Sequence, residues 1–254
     1  MRGIVLTAAA ALLSISLTAP AEASGGVEIP DHGWSFDGVF GTFDKPAIQR
    51  GFQVYQEVCA GCHGVKYLSF RNLSEIGFNE DAVKAIAAEY DVEDGPDDEG
   101  EMFTRPGLAS DRIPSPFPND NAARASNNGA LPPDLSLIAK ARKGGANYLY
   151  ALMTGYDDEP DDMELADGMS YNHYFAGNQI AMPPPLFEDG VEYVDGTPAT
   201  VEQMAEDVSH FLMWAAEPNL ETRKRMGVKV MLFLIVLTAL LYASKRMVWS
   251  RVEH

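Results

Sequence analysis

Basic residues and cysteines are scarce in this chain, and each scarcity closes off a class of function. The 254 residues hold 19 Lys and Arg against 37 Asp and Glu. Eight of the basic residues (Arg2, Arg223, Lys224, Arg225, Lys229, Lys245, Arg246, Arg251) stand near the ends, leaving residues 24–222 with 11 basic and 35 acidic groups, a formal −24. A body this acidic repels nucleic acid and anionic membrane and attracts basic partners. The two cysteines, Cys59 and Cys62, are too few for a four-cysteine zinc ribbon. No βαβ pattern surrounds them, which argues against a thioredoxin-like redox pair. There is no internal repeat, and long apolar runs are confined to the two ends.

What the cysteines do form is Cys59-Ala-Gly-Cys-His63. In a Cys-x-x-Cys-His run, two thiols add across the vinyl groups of a porphyrin and the adjoining histidine is carried under the ring to ligate iron, so the run is a covalent attachment site for one haem c. His63 thereby becomes a metal ligand.

The apolar ends read differently from each other. Arg2, an apolar run at 4–17 and an Ala21-Glu22-Ala23 cleavage signal make residues 1–23 an export leader, too short to span a bilayer comfortably. The second run, 226–243, flanked by Arg223-Lys224-Arg225 and Lys245-Arg246, is long enough to cross. A transmembrane anchor at 226–246 and a cytoplasmic tail at 247–254 follow. Basic flanks at both ends leave the positive-inside count undecided, but export places the head, 24–222, on the outer side.

Within the head the expected fold is mainly α with long irregular insertions. An extended arm at 24–45 leads to a helix carrying Ile48, Phe52, Tyr55 and Val58 at helical spacing, which delivers Cys59. Residues 65–78 read as irregular wrapping, and Asn79 caps a helix over 81–90. Four prolines between 105 and 119 predict a stiff loop, and Asn127-Asn128-Gly129 a turn. Asp134 is expected to cap a helix over 135–143, with a second over 146–154. Thr200 to Gln203 is a capping box opening the last head helix, which ends at Glu217-Pro218, and 219–222 link it to the anchor. Two acidic runs, 91–101 and 157–167, carry seven carboxylates each. Each is a solvated or disordered loop if taken alone, and together they make a plausible docking surface for a basic partner.

The second axial position is open among Met102, Met153, Met163, Met169, Met182, Met204, Met213, His32, His173 and His210. Met204 and Met213 belong to the last helix. Met182 stands out because Pro183-Pro184-Pro185 stiffens the backbone behind it, enough to hold a thioether against iron. His173 is its rival.

Several runs in register resemble one family: the haem motif, AARASNNGALPPDLS at 122–136, ARKGG at 141–145, LMTGY at 152–156, YNHYF at 171–175, MPPPL at 182–186 and WAAEP at 214–218. From about Trp34 to Trp249 the chain resembles cytochrome c1, the haem subunit of quinol:cytochrome c oxidoreductase, of bacterial type. That resemblance implies a cytochrome c-like head, haem c on Cys59 and Cys62, and His63 and Met182 as axial ligands. It also implies Arg142 and Tyr148 at a haem propionate, with Asn127 beside the propionates. The expected activity is transfer of one electron from a Rieske iron–sulfur protein to a soluble or tethered basic cytochrome c, with cytochrome b beside the anchor and the whole in a bacterial inner membrane. Some relatives carry a further cysteine pair in the head, which this chain lacks. Two alternatives are a tethered cytochrome c feeding a terminal oxidase, and an open-site haem peroxidase or gas sensor.

Overall fold

The computed structural model describes residues 27–250. The leader expected at 1–23 and the last residues of the tail lie outside that range. Helices α1 (Lys45–Val54), α2 (Glu80–Ala88), α3 (Asp120–Ser126), α4 (Ile138–Ala141), α5 (Ala146–Thr154), α6 (Val201–Ala216) and α7 (Leu220–Trp249) dominate. Two small antiparallel ribbons complete the set, β1 (Asp91–Asp94) with β2 (Phe103–Pro106) and β3 (Ser170–Tyr171) with β4 (Gln179–Ile180). The mainly helical fold expected from sequence is the one observed.

Helix α1 begins where the Asp44 carboxylate accepts from Ala47 N, with Pro46 in the first turn, where a missing N–H costs nothing. Its buried residues Ile48, Gly51 and Phe52 face α6. The helix then widens into one π turn, Tyr55–Cys59, closed by Ala60 N donating to the Tyr55 carbonyl at 2.8 Å. Such turns re-aim the residues that follow, and here those are the haem motif.

Helices α1 and α6 cross closely enough to exclude a side chain. A Cβ on Gly51 would lie 1.9 Å from the Asp207 carbonyl oxygen and 2.9 Å from Phe211 Cβ. Gly51→Ala is therefore expected to force the helices apart and lower stability by about 3 kcal/mol, at the upper end of overpacking costs, as read from the denaturant midpoint. Around the crossing, Phe52, Tyr55, Phe211 and Trp214 form an aromatic core, with Phe52–Phe211 and Tyr55–Phe211 centroids 5.5 Å apart.

Several expectations are corrected. Residues 65–78 are not wholly irregular: Phe70–Ile76 is a 3-10 turn that buries Phe70, Leu73 and Ile76, started by Asn72 Oδ1 accepting from Ser69 N. The first acidic run is not simply a loop, since Asp91–Asp94 pairs with Phe103–Pro106 and Arg105 binds both Asp94 and Asp111 across the base of the hairpin. Helix α3 was unexpected; Asn119, just past the last proline of its loop, caps it through Ala122 N. Asp134 does not cap a helix over 135–143. Its carboxylate accepts from Lys66 N and Ser136 N, so a tertiary tie has replaced the first helical turn, leaving only Ile138–Ala141.

Residues 219–222 are not a linker either. Pro218 cannot continue α6, but α7 starts at Leu220, which is itself buried, and runs 30 residues without a break, about 45 Å. The arm read as extended clamps this start. Trp34 and Phe36 are buried, Trp34 Nε1 donates to Asn147 Oδ1, Phe43 N donates to Glu221 Oε1, and Lys224 Nζ donates to the Phe36 carbonyl. Glu217 adds ion pairs to Lys140 and Arg223. From Val230 onward the large apolar side chains of α7 are exposed, and among the described residues it is the helix long and apolar enough to cross a membrane.

Candidate functional site

The π turn after α1 sets Cys59 partly buried against the core and Cys62 exposed, both with free thiols. Cys62 N and His63 N both donate to the Cys59 carbonyl, coiling the motif into a tight turn. The buried Tyr55 hydroxyl donates to the His63 carbonyl at 3.1 Å and fixes the turn from below. Burial first, and the neighbouring Cys62 second, push the Cys59 thiol up to about 12. A Cys-x-x-Cys oxidoreductase needs the opposite shift, toward a stabilised thiolate, so this environment does not favour a redox pair.

His63 has the hydrogen bonding that a metal-binding imidazole requires. Its Nδ1 lies 2.7 Å from the Pro133 carbonyl, which can only accept, so Nδ1 carries the proton and Nε2 keeps a free lone pair. Burial lowers the His63 pKa, partly offset by that hydrogen bond, favouring the neutral ring that a metal requires. Pro133 is held in place by its own strand of contacts: Leu135 N donates to the Gly64 carbonyl, Lys66 N to Asp134, and Tyr67 N to the Ser136 hydroxyl. A cavity of about 390 Å3 opens beside Cys62, walled by the proline-rich loop, α3 and residues 131–134. Two thiols, a neutral imidazole with one nitrogen anchored and the other free, and an adjoining cavity are the donor set that haem c needs.

Met182 follows β4 and is half-buried. The Tyr156 hydroxyl donates to its carbonyl at 3.1 Å. His173, the rival ligand, has both ring nitrogens engaged, Nδ1 with the Tyr171 hydroxyl at 3.3 Å and Nε2 with Asp157 at 3.1 Å, on an exposed loop. His210 is buried in an aromatic box with Trp34 and Phe36. Met204 is buried in the core, as its place in α6 predicted.

Arg142 and Tyr148 come together. Burial raises the phenol of Tyr148 while the nearby guanidinium of Arg142 pulls it back. Gly144 and Gly145, at φ +92° and +57°, turn the chain between them, and a Cβ on Gly144 would lie 3.3 Å from Tyr148 Cβ. Arg142 is exposed, so its charge is available to a ligand. Asn127 behaves differently: its side-chain amide donates to the Ala123 carbonyl at 2.7 Å, closing α3. Three contributors were not singled out from the sequence: the Pro133 carbonyl, Tyr55 and Tyr156. In the sequence Pro133 reads as part of a helix start and Tyr55 as part of a core stripe, while Tyr156 lies inside a matching motif.

The family model described as "Cytochrome C1 family" matches residues 34–252. The chain belongs to the cytochrome c1 family. It is 51% identical to "Cytochrome c1" of Rhodospirillum rubrum, over 98% of this chain and 97% of that protein. It is 52% identical to "Cytochrome c1 2, heme protein, mitochondrial" of Arabidopsis thaliana, over 94% of this chain and 78% of that protein. "Cytochrome b/c1" of Bradyrhizobium diazoefficiens is 46% identical over 97% of this chain, which covers 39% of that longer protein. As a member of the cytochrome c1 family, the chain carries one covalently attached haem c and is an electron-transfer subunit. Family membership does not favour the peroxidase, gas-sensor and oxidase-feeding alternatives.

Proposed function

We infer that this cytochrome c1 family member takes one electron from a Rieske iron–sulfur protein and passes it to a basic cytochrome c, within a complex that also holds cytochrome b. The observation that carries this is His63 held through Nδ1 by Pro133, in a Cys-x-x-Cys-His turn whose surroundings match the family along nearly the whole chain. The longer Bradyrhizobium relative, whose name joins cytochromes b and c1, supports cytochrome b as the neighbour of α7.

Joined by thioether bonds to Cys59 and Cys62, haem c supplies an iron that gains and loses one electron. The protein's part is to hold that iron's surroundings still. His63 offers Nε2 in a fixed orientation because Pro133 and Tyr55 restrain its ring and its backbone. Met182 offers a thioether from a backbone stiffened by Pro183, Pro184 and Pro185. With His63 and Met182 both holding the iron, no site would remain for a substrate, which would suit electron transfer rather than substrate activation, and a thioether would favour the reduced state. Arg142 and Tyr148 offer a cation and a hydroxyl donor to a propionate carboxylate. Asn127 would reach the same region only by giving up its bond to Ala123.

Residues 24–222 form the haem head in this scheme, 226–246 the membrane-crossing part of α7, and 247–254 a tail on the cytoplasmic side. The head then faces the bacterial periplasm, and its −24 formal charge steers a basic acceptor toward it. Purification in mild detergent is expected to bring down cytochrome b and a Rieske protein. Reduction of a basic cytochrome c by that complex should slow as ionic strength rises, because screening shortens the range of the steering field. Copurification with oxidase subunits instead, or a rate indifferent to salt, would overturn the assignment of partners.

A further inference from the structure

The two residues assigned to the iron share one feature outside the ligand atoms. The carbonyl of His63 accepts from the Tyr55 hydroxyl at 3.1 Å, and the carbonyl of Met182 accepts from the Tyr156 hydroxyl at the same distance. These tyrosines come from different parts of the chain, one from the π turn after α1 and one from the bend after α5. We propose that Tyr156 is the positioning residue for Met182, holding the peptide that carries the thioether so that the sulfur stays seated on iron.

The proposal rests on Met182 being the second axial ligand. It goes further because a thioether is a weak ligand on a long, unbranched side chain, and seating it depends on where its backbone sits. The three prolines after Met182 stiffen the segment but have no N–H with which to bind the rest of the protein. An external tie is needed, and Tyr156 supplies it at the carbonyl just before the first of those prolines.

Tyr156 is itself well placed to act as an anchor. Its backbone bridges to Asn172, which is fully buried and whose side-chain amide donates to the Leu152 carbonyl at 2.8 Å. The ring is half-buried, and its hydroxyl reaches the Met182 carbonyl.

The test uses the full chain with its haem attached, in detergent, and follows the weak red-edge absorption of methionine-ligated ferric haem while imidazole displaces the thioether. Tyr156→Phe keeps the ring and removes one hydrogen bond. A typical bond of that kind shifts an equilibrium by about fivefold, so the imidazole dissociation constant should fall about fivefold while the red-edge band remains before imidazole is added. Replacing Tyr156 by 4-aminophenylalanine, which restores a donor at the para position, should return the constant to near its original value. Tyr171→Phe, whose hydroxyl meets His173 instead, should leave it unchanged.

An imidazole constant unmoved in Tyr156→Phe, no rescue by the amino analogue, or an equal shift in Tyr171→Phe would overturn the role of Tyr156. So would loss of the band together with helical circular dichroism, because that marks a defect of the whole fold. Met182→Leu separates the two layers. If it abolishes the band while Tyr156→Phe changes nothing, the ligand stands and the anchor falls; if it keeps the band, both fall.

Discussion

Met182→Leu is expected to abolish the red-edge absorption of the ferric protein, to open the ferrous iron to carbon monoxide at neutral pH, and to lower the reduction potential by on the order of 0.2 V. The first two effects follow from losing one of two axial ligands and exposing a coordination site. The third is a fraction of the roughly 0.8 V span over which axial ligands set haem potentials. Leucine is close to methionine in volume, and such swaps usually cost less than about 1.5 kcal/mol, so the fold should survive. The tie from Tyr156 is to the backbone carbonyl and is not removed by the substitution. His173 is a poor substitute because both its nitrogens are engaged and its ring lies on an exposed loop. A variant that kept its red-edge band and its resistance to carbon monoxide would show that the sulfur at 182 is not on the iron.

Arg50→Met should be the most damaging single change to stability, costing about 3–5 kcal/mol in denaturant unfolding. Asp207 is fully buried on α6, and Arg50 on α1 grips it through Nε at 2.9 Å and Nη2 at 2.8 Å, one to each carboxylate oxygen. The carboxylate holds the guanidinium firmly charged, far above any working pH. Removing the arginine strands a carboxylate in the core between the two helices that support the haem motif, and uncompensated buried charge is what makes such losses large. The further contact to Asp195, at 3.1 Å, contributes little because Asp195 is half exposed. Arg50→Met combined with Asp207→Leu should recover most of the loss, since it replaces the pair rather than breaking it. If Arg50→Met unfolds at nearly the original denaturant concentration, the pair is not what holds α1 to α6. Retention of porphyrin in the single variant, alongside reduced stability, would show that the covalent attachment outlasts the helix crossing.

How much could be read in advance depended on how local the cause was. α2 and α5 were placed within a residue or two at each end because caps and glycines act within one turn: Asn79 binds Ala82 N, and Gly155 follows the last residue of α5. The start of α6 was legible for the same reason, in Thr200 binding Gln203 N. Asp134 shows the opposite case. It has the composition of a helix cap, but its carboxylate is taken by Lys66 N, 68 residues away, and no local pattern encodes that competition. The acidic hairpin was missed because its strands are too polar to alternate, and Arg105 joins Asp94 and Asp111 only once the strands have paired.

By itself the sequence determined the covalent chemistry and the membrane attachment. Cys59, Cys62 and His63 are adjacent in the chain, and the apolar run of α7 is continuous, so neither needs a partner from elsewhere to be recognised. Only tertiary structure decided which nitrogen of His63 is free, that α7 grows straight out of the head under the clamp of the N-terminal arm, and that a tyrosine stands behind each assigned ligand. Those outcomes depend on groups tens of residues apart meeting at hydrogen-bond distance, and the spacing of residues along a chain does not fix which distant carbonyl will lie against a given donor once the core has packed.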